Sequence, residues 1–165
     1  MIVLLPGFSA KNKIWAEQLQ NDLQEMGLKI QVQNWRHWDD NSESFKIEAE
    51  TEAFLGAVND EEVIVLAKSI GTRLIIELLR KHPDKFNAKQ VILMGIPEKH
   101  EHYIEVLKSK SNLFQIIQNY QDPYLSYADL VEWLKSNNID IDVIKGDRND
   151  HDYPYPELLY ELCKK

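Results

Sequence analysis

Cysteine is nearly missing from this chain. Cys163 is the one thiol in 165 residues, so no internal disulfide is available and the fold is not that of a small disulfide-stapled scaffold. Cations are outnumbered: 19 Lys and Arg face 27 Asp and Glu, for a formal net charge of -8. A polyphosphate is therefore repelled on average, which removes nucleic acid as an expected partner. No apolar run approaches the length that spans a bilayer. The run Ile2 to Leu5 is too short for a signal-peptide core and has no basic flank. These absences lead to the expectation of a cytoplasmic protein without a membrane segment. There is also no repeat and no low-complexity tract. With 44% hydrophobic and 28% charged residues, residues 1–165 are expected to form one ordinary folded domain.

What is present is alternation. Short apolar runs, at Ile2 to Leu5, Ile30 to Val32, Val63 to Leu66, Val91 to Met94, Phe114 to Ile117 and Ile139 to Ile144, are separated by stretches of helical period. Trp15, Leu19, Leu23 and Met26 recur at helical spacing, and Gly27 supplies a left-handed stop. Phe45, Ala49, Ala53, Ala57 and Val58 mark a second helix. Leu74, Ile75, Leu78 and Leu79 mark a third, closed by His82-Pro83. Tyr127, Leu130, Val131 and Leu134 form a later stripe, and Pro156 opens a last one with Leu158, Leu159 and Leu162. This pattern is that of a three-layer α/β/α sandwich around a mostly parallel sheet. The second and sixth runs alternate polar and apolar residues as partly covered edge strands do, whereas the third and fourth are continuously apolar. The expected strand order is 2-1-3-4-5-6.

In such a sheet the active site lies outside the carboxyl ends of the strands. Ser69 follows the third run at a strand-to-helix turn, flanked two residues away on each side by the small residues Ala67 and Gly71. Asp122 follows the fifth run and His151 the sixth. Ser, Asp and His at three such ends make a candidate nucleophile, orienting acid and base. Asp147 and Asp150 stand closer to His151 in sequence and are open alternatives for the acid.

At these residues the chain resembles the α/β-hydrolase superfamily, whose nucleophile elbow reads G-x-S-x-G and whose triad runs in the order Ser, acid, His. The likeness covers essentially the whole chain and is nearest to the short, single-domain serine hydrolases of the retinoblastoma-binding type. It implies a fold truncated by two strands, no metal and no organic cofactor. It also implies an oxyanion loop at Leu5-Pro6-Gly7-Phe8-Ser9, with main-chain N–H donors from Phe8 or Ser9 and from Ile70. Ala67 departs from the first elbow glycine, and the segment from Ile96 to Leu113 is too short for a large lid. The expected substrate is therefore a small ester, thioester or amide rather than a long-chain lipid. The rival reading is a non-catalytic module that keeps the fold and offers an acidic, lidless surface to a protein partner.

Other constellations are weaker. Lys68-Ser69 ends like a phosphate-binding loop, but Glu62 and Ala67 fill its two glycine positions. His100 and His102, with Glu98 and Glu101 nearby, read as a solvated polar loop, because i and i+2 spacing turns the two rings apart. Trp35 and Trp38 fall on the rim after the second run, beside His37, where they are candidates to line a substrate pocket or to pack against the edge.

Overall fold

The computed structural model describes residues 1–40, 42–59 and 61–164. Its strands are β1 (Ile2–Leu5), β2 (Ile30–Val32), β3 (Glu62–Lys68), β4 (Asn87–Met94), β5 (Phe114–Asn119) and β6 (Val143–Gly146). They form one sheet of order β2-β1-β3-β4-β5-β6, every pair parallel. The helices are α1 (Lys11–Glu25), α2 (Ile47–Val58), α3 (Ile70–Lys81), α4 (Glu101–Ser109), α5 (Tyr127–Ser136) and α6 (Pro156–Cys163).

The period of two along each strand divides the interior into two cores. Val3 and Leu5, Val65 and Ala67, and Val91 and Leu93 face α2 to α5. Ile2 and Leu4, Ile64 and Leu66, and Ile92 and Met94 face α1 and α6. Strands covered on both faces need apolar residues at consecutive positions, which is why the central runs are unbroken. Each fully buried aliphatic side chain stabilises the fold by about 1.5–3 kcal/mol.

Three expectations are corrected. The run Ile139–Asp142 is not strand. Asn138, at φ 56°, ends α5 in a left-handed turn in which Ile139 N–H donates to Leu134 O at 3.0 Å and Asn138 N–H to Lys135 O at 3.0 Å. Ile139 is apolar because it packs under that turn, so its alternation with Asp140 and Ile141 only imitates a strand. In α2 the buried positions are Glu50, Phe54 and Val58, while Ala53 is exposed and Phe45 precedes the helix. His100 and His102 are not a polar loop: His100 caps α4, and His102 Nδ1 pairs with Glu77 of α3.

Candidate active site

The switch in strand order falls between β1 and β3, and the loops leaving their carboxyl ends meet there. Ser69 joins β3 to α3 at φ 54° and ψ -115°, a left-handed conformation that costs a non-glycine residue about 1–3 kcal/mol. Its N–H donates to Met94 O at 3.0 Å, and its carbonyl accepts from the Thr72 hydroxyl at 2.6 Å. Gly71 is required by packing, since a Cβ there would overlap the carbonyl oxygen of Leu5. Ala67, two residues before Ser69, is fully buried and accommodated. The preceding Glu62–Lys68 segment is strand throughout, which leaves no phosphate-cradling loop.

Among the nearby main-chain N–H groups with no acceptor in a described residue are those of Phe8, Ser9 and Ile70. The indole N–H of Trp35 donates to Gly7 O at 3.0 Å. The indole N–H of Trp38 and Nε2–H of His37 donate to Phe8 O at 2.9 and 2.7 Å. In a planar trans peptide, C=O and the next N–H point in opposite directions. Pinning those two carbonyls against the β2 rim therefore turns the N–H groups of Phe8 and Ser9 away from it. Trp35 is fully buried, so the expectation that it lines a substrate pocket is corrected: it is a brace beneath the loop. Trp38 is half-buried, with its N–H already engaged by Phe8.

Across the sheet, Asp122 Oδ2 accepts from His151 Nδ1 at 2.6 Å and from the Tyr153 hydroxyl at 2.6 Å. The Asp122 side chain is 0% exposed. Tyr124 N–H closes an Asx turn on the other carboxylate oxygen at 2.9 Å. Burial by itself raises the pKa of Asp122, but donation from His151 and Tyr153 outweighs it and holds the carboxyl below its usual range. Burial pushes the Tyr153 phenol far up, so it stays a donor. A carboxylate on Nδ1 selects the tautomer with the proton there and leaves Nε2 as a lone-pair base. That Nε2 is buried and has no partner among the described residues.

The other two carboxylates are engaged elsewhere, Asp147 with the Tyr155 hydroxyl and Asp150 with Arg148. Gly95, at φ 66°, follows β4 and receives the edge of the His151 ring; a Cβ there would lie 2.9 Å from its Cε1 and 2.5 Å from Cε2 of Tyr153. The His151 ring thus borders the turn after Met94, whose carbonyl holds Ser69. Ser69 Oγ makes no hydrogen bond to a described residue, His151 Nε2 included. Sequence reading missed Tyr153, and it missed Asn119, whose amide donates to Asp150 O at 2.9 Å and Asp152 O at 2.7 Å, clamping both sides of His151. Nothing short of the fold marks a Tyr two residues beyond a His as its partner's donor. No group of three or more metal-ligating side chains occurs among the described residues. No helix among them is long and apolar enough to cross a membrane.

No protein-family model and no curated protein matches the chain. Solved structures do. An α/β serine hydrolase homologue from Coxiella burnetii matches with a TM-score of 0.71 at 16% identity, covering 98% of this chain and 81% of that one. A lidless α/β serine hydrolase from Xanthomonas campestris matches at 0.69 and 13%, covering 99% and 78%. An uncharacterized protein from Bacillus cereus matches at 0.70 and 19%, covering 99% of this chain, which spans 58% of that protein's length. At these identities the likeness is one of fold. The architecture is a truncated α/β-hydrolase fold.

Proposed function

We propose that this protein is a serine hydrolase that acts through an acyl-enzyme on a small ester, thioester or amide. The observation that carries the reading is the buried Asp122–His151 pair with its unpartnered Nε2, whose ring borders the turn after Met94, the residue whose carbonyl holds the main chain of Ser69 in a strained strand-to-helix turn. In the first step Nε2 of His151 takes the Ser69 hydroxyl proton as Oγ bonds to the carbonyl carbon. The carbonyl oxygen, now an oxyanion, is received by N–H of Ile70 and of Phe8 or Ser9. Collapse of the tetrahedral species breaks the bond to the leaving group, which departs with the proton from Nε2. Water then repeats the sequence on the acyl group, restoring Ser69 and releasing a carboxylic acid. Asp122 keeps its negative charge throughout and stabilises the imidazolium.

A small substrate is supported by the loops around the site. The Ile96 to Leu113 segment folds into α4 and a short 3₁₀ turn, with Tyr103 and Leu107 in the core below rather than over Ser69. Phe8 and Tyr124 stand exposed, Tyr124 against the His151 ring with centroids 4.5 Å apart. The test is hydrolysis of p-nitrophenyl acetate together with labelling by a fluorophosphonate. The expected outcome is labelling of the wild type that Ser69→Ala abolishes, with turnover down by about 10⁶. A folded protein that neither labels nor turns over would instead favour the non-catalytic binding module.

A further inference from the structure

Lys68 is the last residue of β3 and the residue before Ser69. It continues the row of Ile64 and Leu66 toward α1 and α6, so its ammonium is buried; the side chain is 3% exposed. A buried ammonium is costly unless its donors are satisfied, and the acyl-transfer steps above do not use it. It donates to Asn12 Oδ1 at 2.6 Å and to Asp152 Oδ1 at 3.1 Å, and lies 4.6 Å from the centre of the Trp15 ring.

Both polar partners reach further. Asn12 Nδ2 donates to the Ser9 carbonyl at 3.1 Å and the Ser9 hydroxyl at 3.0 Å. The Asn12 amide also fills the space beside Gly7, where a Cβ would sit 2.5 Å from its Oδ1. Asp152 follows His151, and its carbonyl is held by Asn119 at 2.7 Å. One ammonium is thereby tied to the nucleophile through the chain, to the oxyanion loop through Asn12, and to the histidine loop through Asp152.

We propose that Lys68 is a positioning residue that sets the spacing between Ser69, the Phe8 and Ser9 N–H donors, and His151. This inference rests on the serine-hydrolase reading. The alternative is a strut that only stabilises the fold, and the two separate in kinetics. Methionine keeps the unbranched stem of lysine, and Asp152, whose side chain is 61% exposed, passes to water when released. Lys68→Met is therefore expected to keep its Tm within a few degrees and KM for p-nitrophenyl acetate within about threefold. Its kcat is expected to fall about 10²-fold, the scale of a misplacement of about 1 Å. Asn12→Ala and Asp152→Ala each lower kcat, and neither lowers it further when added to Lys68→Met, as expected of one network.

A folded Lys68→Met with wild-type kcat overturns the proposal, whether or not its Tm falls. Should Lys68→Met fail to fold, wild-type kcat in both Asn12→Ala and Asp152→Ala overturns it equally. Absence of fluorophosphonate labelling at Ser69 in the wild type overturns the hydrolase reading and this inference with it. Normal labelling alongside an unaffected Lys68→Met overturns the positioning role alone.

Discussion

On the β5–β6 side of the site, polar atoms do the holding: Asp122 takes donors from His151, Tyr153 and the Tyr124 main chain, and Asn119 clamps the loop on both sides of His151. On the β1–β3 side shape sets the elbow, alongside the Lys68 network and the hydrogen bonds of the Ser69 main chain. Gly71 lets α3 approach Leu5, Ser69 accepts a left-handed backbone, and small Ala67 sits fully buried beneath. The two sides should fail differently. Cutting the polar side should damage chemistry more than folding, because its groups set charge and tautomer. Crowding the shape side should damage folding more than chemistry, because backbone has nowhere to move.

The largest effect on the polar side is expected from Asp122→Asn, which supports the wrong histidine tautomer and should lower kcat by about 10⁴. Steady-state kinetics at neutral pH checks it, and a loss of less than tenfold would erase the contrast. The same variant bears on acid stability. The folded-state pKa of Asp122 lies below its ordinary value, so its pairing stabilises the fold above the unfolded carboxylate pKa of about 4. That contribution is lost as the pH falls through the lower folded value. Asp122→Asn should accordingly lose less stability than the wild type on acidification below about pH 4, measured by denaturant unfolding across pH.

Next in size is Gly71→Ala on the shape side. The added methyl meets the Leu5 carbonyl, a backbone group, and should cost about 3 kcal/mol, a fall of roughly 10 °C in Tm. Thermal unfolding followed by circular dichroism decides it; a Tm equal to the wild type would mean that the elbow yields. The smallest effect is expected from Tyr153→Phe. It removes one donor to Asp122 and leaves the buried Asn119 N–H without its acceptor, costing about 1–2 kcal/mol in stability. A kcat loss well below that of Asp122→Asn should accompany it, since His151 still meets the carboxylate.

The same contrast explains how much was legible in the sequence. Shape constraints act on neighbouring residues, so Ser69, Gly71 and the strand ends stand out from spacing alone. The strand order was legible for the same reason, because burial on both faces demands unbroken apolar runs such as Val63 to Leu66. Polar wiring acts between residues far apart in the chain, and neither Tyr153 with Asp122 nor Lys68 with Asn12 has a local signature. The misread Ile139–Asp142 run shows the limit within local patterns: a left-handed Asn138 is a weaker stop signal than Gly27, and the buried Ile139 after it looks like a strand residue. Trp35 kept two readings, pocket lining or packing, because position on a rim does not reveal which way an indole turns; its full burial is packing.

The most direct measurement is fluorophosphonate labelling of the intact protein, with the modified residue located by peptide mass spectrometry in the wild type, Ser69→Ala and His151→Ala. The account predicts a single adduct on Ser69, absent in Ser69→Ala and strongly slowed in His151→Ala. An unlabelled wild type, or an adduct that persists in Ser69→Ala, contradicts it.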